Sequence, residues 1–183
     1  MRLARPRSAL IACAVAALVA AGCGKEEEGE PKREGLGVDV AGITYHVYLT
    51  RQINQHDSED RAYWHGPEPP PGSTYYGVFV TACNEGKEPL TPVDKFKVVD
   101  NQDNEFEPLE PEEDNEFFYR PRLLTKKACV PEPGSAAANG PTGGALLVFE
   151  IPVQSIENRP LELEIEDENE DGEIEKGAIE LDL

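Results

Sequence analysis

Positive charge is scarce in this chain of 183 residues, which has 17 Lys and Arg against 36 Asp and Glu. The formal net charge is −19. Proteins bind nucleic-acid phosphates, and dock on anionic lipid through a basic patch, by clustering Lys and Arg. The composition therefore excludes a nucleic-acid partner and basic-patch docking, and it favours either a cationic partner or simple solubility.

Catalytic and metal motifs are also missing. The sequence has no Gly-x-Ser-x-Gly elbow, P-loop or dinucleotide glycine motif. Its only methionine is Met1. A chain from which the amino-terminal residues have been cleaved therefore has no Met ligand for copper. His46, His56 and His65 follow no metal-ligand spacing. We therefore expect no enzymatic activity; the alternative is a hydrolase whose pocket gathers histidines or a pair of carboxylates from the 36 acidic residues.

Long apolar runs are lacking apart from Ala9–Ala21, which is too short to span a bilayer. It follows a basic segment with Arg2, Arg5 and Arg7, and no acidic residue precedes Glu26. This order predicts a signal peptide over residues 1–22 and hence export.

The residues Val19-Ala20-Ala21-Gly22-Cys23 resemble the lipobox of bacterial lipoproteins, although Ala20 stands where that pattern prefers Leu. The resemblance implies that Cys23 becomes lipid-modified and amino-terminal after cleavage. Two acyl chains would hold the protein on the extracytoplasmic face of the cell membrane. The alternative is an ordinary signal peptide cut near Ala21, with Cys23 incidental.

Residues 24–35, GKEEEGEPKREG, contain no large apolar side chain. Such a segment cannot bury surface, so residues 23–35 are predicted to be a lipidated Cys followed by a flexible charged tether. The folded domain would then comprise residues 36–183.

Alternation of apolar and polar residues dominates that domain. It occurs around Ile43–Leu49, Tyr75–Cys83, Phe96–Val98, Leu147–Ile151, Leu161–Ile165 and Ile179–Leu183, with turn-rich segments between the runs. One short segment, Asp57–Ala62, is ambiguous between helix and turn. About seven to nine short strands with one apolar face predict an all-β, antiparallel β-sandwich that ends in an acidic hairpin.

Two cysteines, Cys83 and Cys129, remain in this domain. Two thiols in an exported domain most simply form a disulfide bond. The alternative is a reactive thiol paired with a histidine, which no neighbouring sequence supports.

Five segments, in a fixed order, carry a resemblance to a known family. They are Tyr76–Val80 followed by Asn84–Pro89, then Phe96–Asp100, and then Pro131–Gly134 followed by Gly144–Pro152. Together they resemble telokin-like, immunoprotective extracellular Ig-like domains, which are domains of unknown function in bacterial lipoproteins. The resemblance implies an Ig-like sandwich and no catalytic residues. The chain departs from the pattern in a Glu-rich insertion at Glu105–Asp114 and in its acidic carboxyl-terminal extension.

Two segments are candidate sites. Asp167, Asn169 and Asp171 match positions one, three and five of a calcium loop. Ala178 stands at position twelve, where such a loop has a bidentate Glu. The alternative is a solvated hairpin turn. Tyr63, Trp64 and His65 could form a binding rim beside a Pro-rich turn. The alternative there is that Trp64 packs over one end of the core.

We therefore predict a membrane-anchored, extracytoplasmic lipoprotein whose Ig-like module binds without catalysis. Its partners would be the lipid bilayer, through acylated Cys23, and an unknown envelope or extracellular protein or glycan. The alternative function is a calcium-binding or calcium-stabilised adhesion module that uses the acidic carboxyl-terminal loop. No other cofactor is expected.

Overall fold

The computed structural model of the protein describes residues 30–169 and 171–183. The predicted signal peptide, Cys23 and residues 24–29 of the tether lie outside the described residues. The strands are β1 Lys32–Arg33, β2 Val38–Val40, β3 Ile43–Ile53, β4 Ser73–Asn84, β5 Phe96–Val99, β6 Glu105–Phe106, β7 Cys129–Val130, β8 Ala145–Pro152, β9 Glu162–Glu168 and β10 Ile174–Glu180. Three four-residue helices complete the list: α1 Asp60–Tyr63, α2 Ala136–Asn139 and α3 Val153–Ile156.

The strands form two sheets. Sheet 1 has the order β1-β10-β9-β5-β6, and sheet 2 has the order β2-β3-β4, with β7 and β8 both paired to β4. All pairings between these strands are antiparallel except that of β1 with β10, which is parallel. The all-β sandwich predicted from alternation is confirmed.

The main core lies between the two sheets. Sheet 1 contributes Val98, Leu163 and Ile165 from alternate positions of β5 and β9, and sheet 2 contributes Val47 and Val80. In β9 the intervening residues are glutamates, so alternation buries one face and leaves the other charged.

A second, smaller core covers the other face of sheet 2. Its buried members are Ile53, Tyr63, Trp64, Tyr75, Phe79, Phe118, Leu146 and Val148. Strand β8 is therefore buried on both faces, whereas the sequence alternation predicted only one apolar face there. The segment that contains the Glu-rich insertion borders this strand, since the N–H of Leu109 donates to the Val148 carbonyl.

The longest hairpin, β3–β4, contains a β-bulge that corrects one sequence prediction. The pairing register shifts between Val47 and Leu49, so Tyr48 and Leu49 are both exposed. The prediction that Leu49 shares the buried face of Tyr45 and Val47 is wrong, because a bulge inserts one extra residue and interrupts the alternation.

The carboxyl end of the predicted tether is also corrected. Lys32 and Arg33 pair with Ile179 and Glu180, and the N–H of Glu34 donates to the Glu180 carbonyl. Charged residues can join a sheet edge because the backbone supplies the hydrogen bonds. The ordered domain thus begins by residue 32, before the predicted residue 36.

Cys83 and Cys129 form a disulfide bond, as predicted. It links the end of β4 to β7, where the two cysteines are also register partners. Within the described residues, no helix is long and apolar enough to cross a membrane.

Candidate binding groove

A groove of about 660 Å³ lies on the outer face of sheet 1. Its lining residues come from β5 and the two residues before it, from β9, from the start of β10 and from the segment after β6: Asp94, Lys95, Phe96, Lys97, Glu107, Pro108, Glu110, Glu164, Glu166, Asp167, Glu168 and Ile174. Seven of these are acidic and two are lysines, so the groove has a strong negative charge. We refer to it as the acidic groove.

Strand β9 places the acidic side chains by simple alternation. Leu163 and Ile165 point into the core, and this forces Glu164, Glu166 and Glu168 onto the opposite face. Glu162 continues the same row toward the far end of the strand. Four glutamates at a spacing of two therefore form one row on a single sheet face.

Lys97 lies across this row from β5. Its Nζ is 2.8 Å from Oε1 of Glu105, 3.0 Å from Oε2 of Glu164 and 3.9 Å from Oε1 of Glu166. The hydrogen bonds to Glu105 and Glu164 raise the pKa of Lys97 above its ordinary value. One cation is thus shared among three carboxylates, so it offsets only part of their charge.

Lys176, which lies outside the groove lining, approaches the glutamate row from β10. Its Nζ lies 2.6 Å from Oε1 of Glu166, and this hydrogen bond lowers the pKa of Glu166. At the far end of the row, partial burial and the carboxylates of Glu164 and Glu180 raise the pKa of Glu162.

The groove combines this charge with apolar surface. Ile174 is 60% exposed, and Pro108 is also part of the lining. Lys and Arg side chains have an aliphatic stem and a charged head, so such a surface matches both of their parts. The arrangement can hold a cationic segment, with stems against Ile174 and Pro108 and heads against the glutamates.

The predicted calcium loop is the turn that joins β9 to β10. Oδ1 of Asn169 accepts hydrogen bonds from the N–H groups of Asp171 and Glu173, both at 3.0 Å. Its Nδ2 donates to Glu175, which also accepts from the N–H of Ala41. Asn169 thus already closes the turn through its own side chain. Among the described residues, no group of three or more His, Cys, Asp or Glu side chains is arranged to hold a metal ion.

The predicted rim of Tyr63, Trp64 and His65 is not brought to the surface as a unit. Tyr63 and Trp64 are buried in the second core, with ring centroids 5.2 Å from Phe79 and 5.3 Å from Tyr75 respectively. The rim prediction is therefore wrong for Tyr63 and Trp64, because both side chains pack in the second core, on the face of sheet 2 that is turned away from sheet 1. Only His65 is exposed.

His65 takes part in a cluster that sequence reasoning missed. Glu112, within the Glu-rich insertion, accepts hydrogen bonds from the His65 N–H at 2.7 Å and from Asn115 at 3.0 Å, and its Oε2 lies 2.9 Å from the His65 Nδ1. Partial burial opposes ionisation of Glu112, but these contacts outweigh it and lower its pKa. No local signal connects residues separated by 47 positions. The cluster ties the insertion to the α1 region.

Comparisons with known proteins give the fold and no family. No protein-family model matches the chain, and no curated protein matches it. The YjhA protein of Bacillus subtilis is similar, with a TM-score of 0.54 and 13% identity over 82% of this chain and 99% of that chain. At this identity the likeness shows a shared sandwich fold alone.

Two further solved structures are more distant. The candidate lipoprotein YcdA of Bacillus subtilis gives a TM-score of 0.47 at 13% identity, over 82% of this chain and 39% of that chain. An uncharacterized β-sandwich protein from Clostridium difficile 630 gives 0.45 at 14% identity, over 85% and 97%.

Proposed function

We propose that the protein is a lipid-anchored extracytoplasmic binding module that holds a cationic segment of an envelope or extracellular partner in the acidic groove. The single observation that carries the binding role is the glutamate row of β9, in which Glu164 and Glu166 are half-buried and Glu168 is exposed, in a groove lined by seven acidic residues and two lysines. A negatively charged concave surface attracts and orients cationic partners. The sandwich serves as a rigid support, in keeping with the telokin-like, Ig-like domains that the sequence resembles.

One carboxyl of the groove has a shifted pKa, and its shift is opposite in direction to that of a general acid. A general acid that works near neutral pH needs a carboxyl whose pKa is raised. Within the groove, the pKa of Glu166 is lowered by its contact with Lys176. We therefore propose a non-catalytic role.

The anchor follows from the segment that ends at Cys23 and is tested by replacing that residue. Full-length protein with Cys23→Ser should leave the membrane fraction and lose the mass of the acyl chains, while the unchanged chain stays with the membrane. An unmodified Cys23 in a membrane-free protein would contradict the anchor.

The binding role is tested by titration with hexalysine. Glu107→Gln, Glu110→Gln and Glu168→Gln together remove three charges from the groove and leave the contacts of Lys97 and Lys176 intact. A matched control, Glu85→Gln, Glu116→Gln and Glu157→Gln, removes three exposed acids outside the groove lining.

Isothermal titration should show about tenfold weaker binding for the groove variant, since about 1.4 kcal/mol corresponds to a tenfold change in affinity. The control variant should bind almost like the unchanged protein. Equal weakening of both variants would mean that net charge alone attracts the peptide, and the proposed site would be rejected.

A further inference from the structure

Large apolar side chains gather where the amino-terminal segment joins the sandwich. Six are exposed among the described residues, and three of these, Leu36 (55%), Tyr48 (60%) and Leu49 (36%), lie in this region. The N–H of Gly35 donates to the Val47 carbonyl at 2.9 Å, which brings the chain neighbour of Leu36 against the chain neighbour of Tyr48. We call Leu36, Tyr48 and Leu49 the entry patch.

The β-bulge of β3 creates this patch. In a regular strand, Tyr48 and Leu49 would point to opposite faces, and one of them would be buried. The register shift between Val47 and Leu49 exposes both. Bulges often re-aim side chains at functional positions. Strand β2 pairs only with Ile43–Tyr45, so the patch lies on a stretch of β3 that β2 does not cover.

Glu34 fixes the patch to both sheets. One carboxylate oxygen accepts from the N–H of Thr50 in β3 at 2.9 Å, and the other accepts from the N–H of Asp182, beyond β10, at 3.0 Å. The segment that precedes Leu36 is therefore bonded to sheet 1 and sheet 2 together. A surface fixed in this way loses little conformational entropy when it docks.

The patch lies close to the proposed anchor. Lys32, the first residue of β1, lies only nine positions after Cys23. That length spans about 30 Å when fully extended and roughly 17 Å as a flexible chain. The bilayer that holds Cys23 is therefore within reach of the entry patch, and the short connection keeps its effective concentration high.

We propose that the entry patch docks on the headgroup–acyl boundary of the bilayer to which Cys23 is attached; this rests on the lipid anchor proposed above. Tyr side chains favour that boundary because they have an apolar ring and a polar hydroxyl. Leu36 and Leu49 supply the remaining apolar contact. The contact is apolar, so it needs no anionic lipid and agrees with the scarcity of positive charge in the chain.

Docking through the entry patch would present the acidic groove away from the membrane. Strand β1 is one edge of sheet 1, and the groove is centred on β9 and β5, two and three strands further along. Strands lie about 4.8 Å apart, which places β5 roughly 14 Å from the edge where the chain enters. A bilayer against the entry edge thus leaves the groove open to a partner.

The test uses the full lipidated chain in phosphatidylcholine vesicles that contain brominated lipid as a contact quencher. Tyr48→Trp reports on the patch, and Ile174→Trp is the matched control, since both positions are 60% exposed and Ile174 lines the groove. Trp64 is only 6% exposed and gives the same background in both variants. We expect Tyr48→Trp emission to move to shorter wavelength and to lose most of its intensity, with no change for Ile174→Trp.

Adding Leu36→Ser and Leu49→Ser to Tyr48→Trp should remove the quenching while the chain still floats with the vesicles. If the chain floats but Tyr48→Trp is not quenched, docking is overturned and the anchor stands. If the chain does not float, the anchor itself fails. A shift of Tyr48→Trp emission with protein concentration, without vesicles, would assign the patch to a second copy and overturn the proposal.

Discussion

At the scale of single residues, Asp100 is a buried carboxylate that stabilises the turn after β5. It is 3% exposed and accepts hydrogen bonds from the N–H groups of Gln102 and Asn104 and from the side chains of Asn104 and Asn158. Burial opposes its ionisation, but these donors outweigh burial and hold the pKa of Asp100 well below its usual range. The charge thus links β5 to the segment before β9.

Asp100→Asn should lower the free energy of unfolding at neutral pH by about 1.5–3 kcal/mol, the usual contribution of hydrogen bonds to a charged group. Because the native pKa of Asp100 is depressed, its stabilisation is present above the ordinary value of 3.8 and is lost as the pH falls below it. The difference in the free energy of unfolding between Asp100→Asn and the unchanged protein should therefore become smaller as the pH is lowered toward about 3.

Urea unfolding at the two pH values measures this difference, with the exposed Asp114→Asn as control. An equal cost at both pH values would contradict the role of the ionised carboxylate.

The contacts of single residues were the hardest feature to predict from the sequence. The segment from Asp100 to Glu105 has the composition of an ordinary turn, and its partner Asn158 is 58 positions away. Trp64 lies beside a Pro-rich segment, and no local sequence pattern indicates that its ring packs against Tyr75. Both features depend on contacts that only the folded chain brings together.

At the scale of elements, β10 passes unusually close to β2 because it contains Gly177. A Cβ atom at this position would overlap the side chain of Val38 and lie 2.7 Å from Cγ2 of Val40. Gly177→Ala should therefore destabilise the domain by about 1–3 kcal/mol, as overpacking of a core usually does. Thermal or urea unfolding measures the loss.

A second substitution separates crowding from a general effect of replacing glycine. Val38→Ala in the same chain makes room for the new methyl group, so the double variant should lose less than the sum of the two single losses. Strictly additive losses would show that close approach to Val38 is not the cause.

The thermal stability of the domain should not depend on calcium, because the Asn169 side chain already provides hydrogen bonds that close the turn between β9 and β10. We expect the same melting temperature in millimolar calcium and in excess EDTA. A ligand that binds only the native state raises the melting temperature. A rise of many degrees, abolished by Asp171→Ala, would therefore restore the calcium-dependent alternative.

The strands were the feature that the sequence predicted best. Alternation in β9 placed apolar residues inside and glutamates outside, and the structure has the same arrangement. Alternation could not reveal the bulge at Tyr48, since an extra residue looks the same as a continued strand in sequence. It also could not reveal the second core, because the covering segments are rich in Glu and Pro.

At the scale of the whole molecule, charge and fold act together. Removal of the predicted signal peptide, with its three arginines, leaves a net charge near −22. Composition alone predicts a preference for cationic partners but gives no location. The structure supplies a location, since β9 gathers four glutamates on one sheet face and the segment after β6 closes a groove beside them.

The central claim is that the acidic groove is a specific site and not merely one part of an acidic surface. Amide chemical shifts of isotopically labelled protein, recorded during titration with hexalysine, test it most directly. The account predicts saturable changes confined to β5, β9, the start of β10 and residues 107–110. Changes spread over acidic residues on all sides of the domain, without saturation, would contradict it.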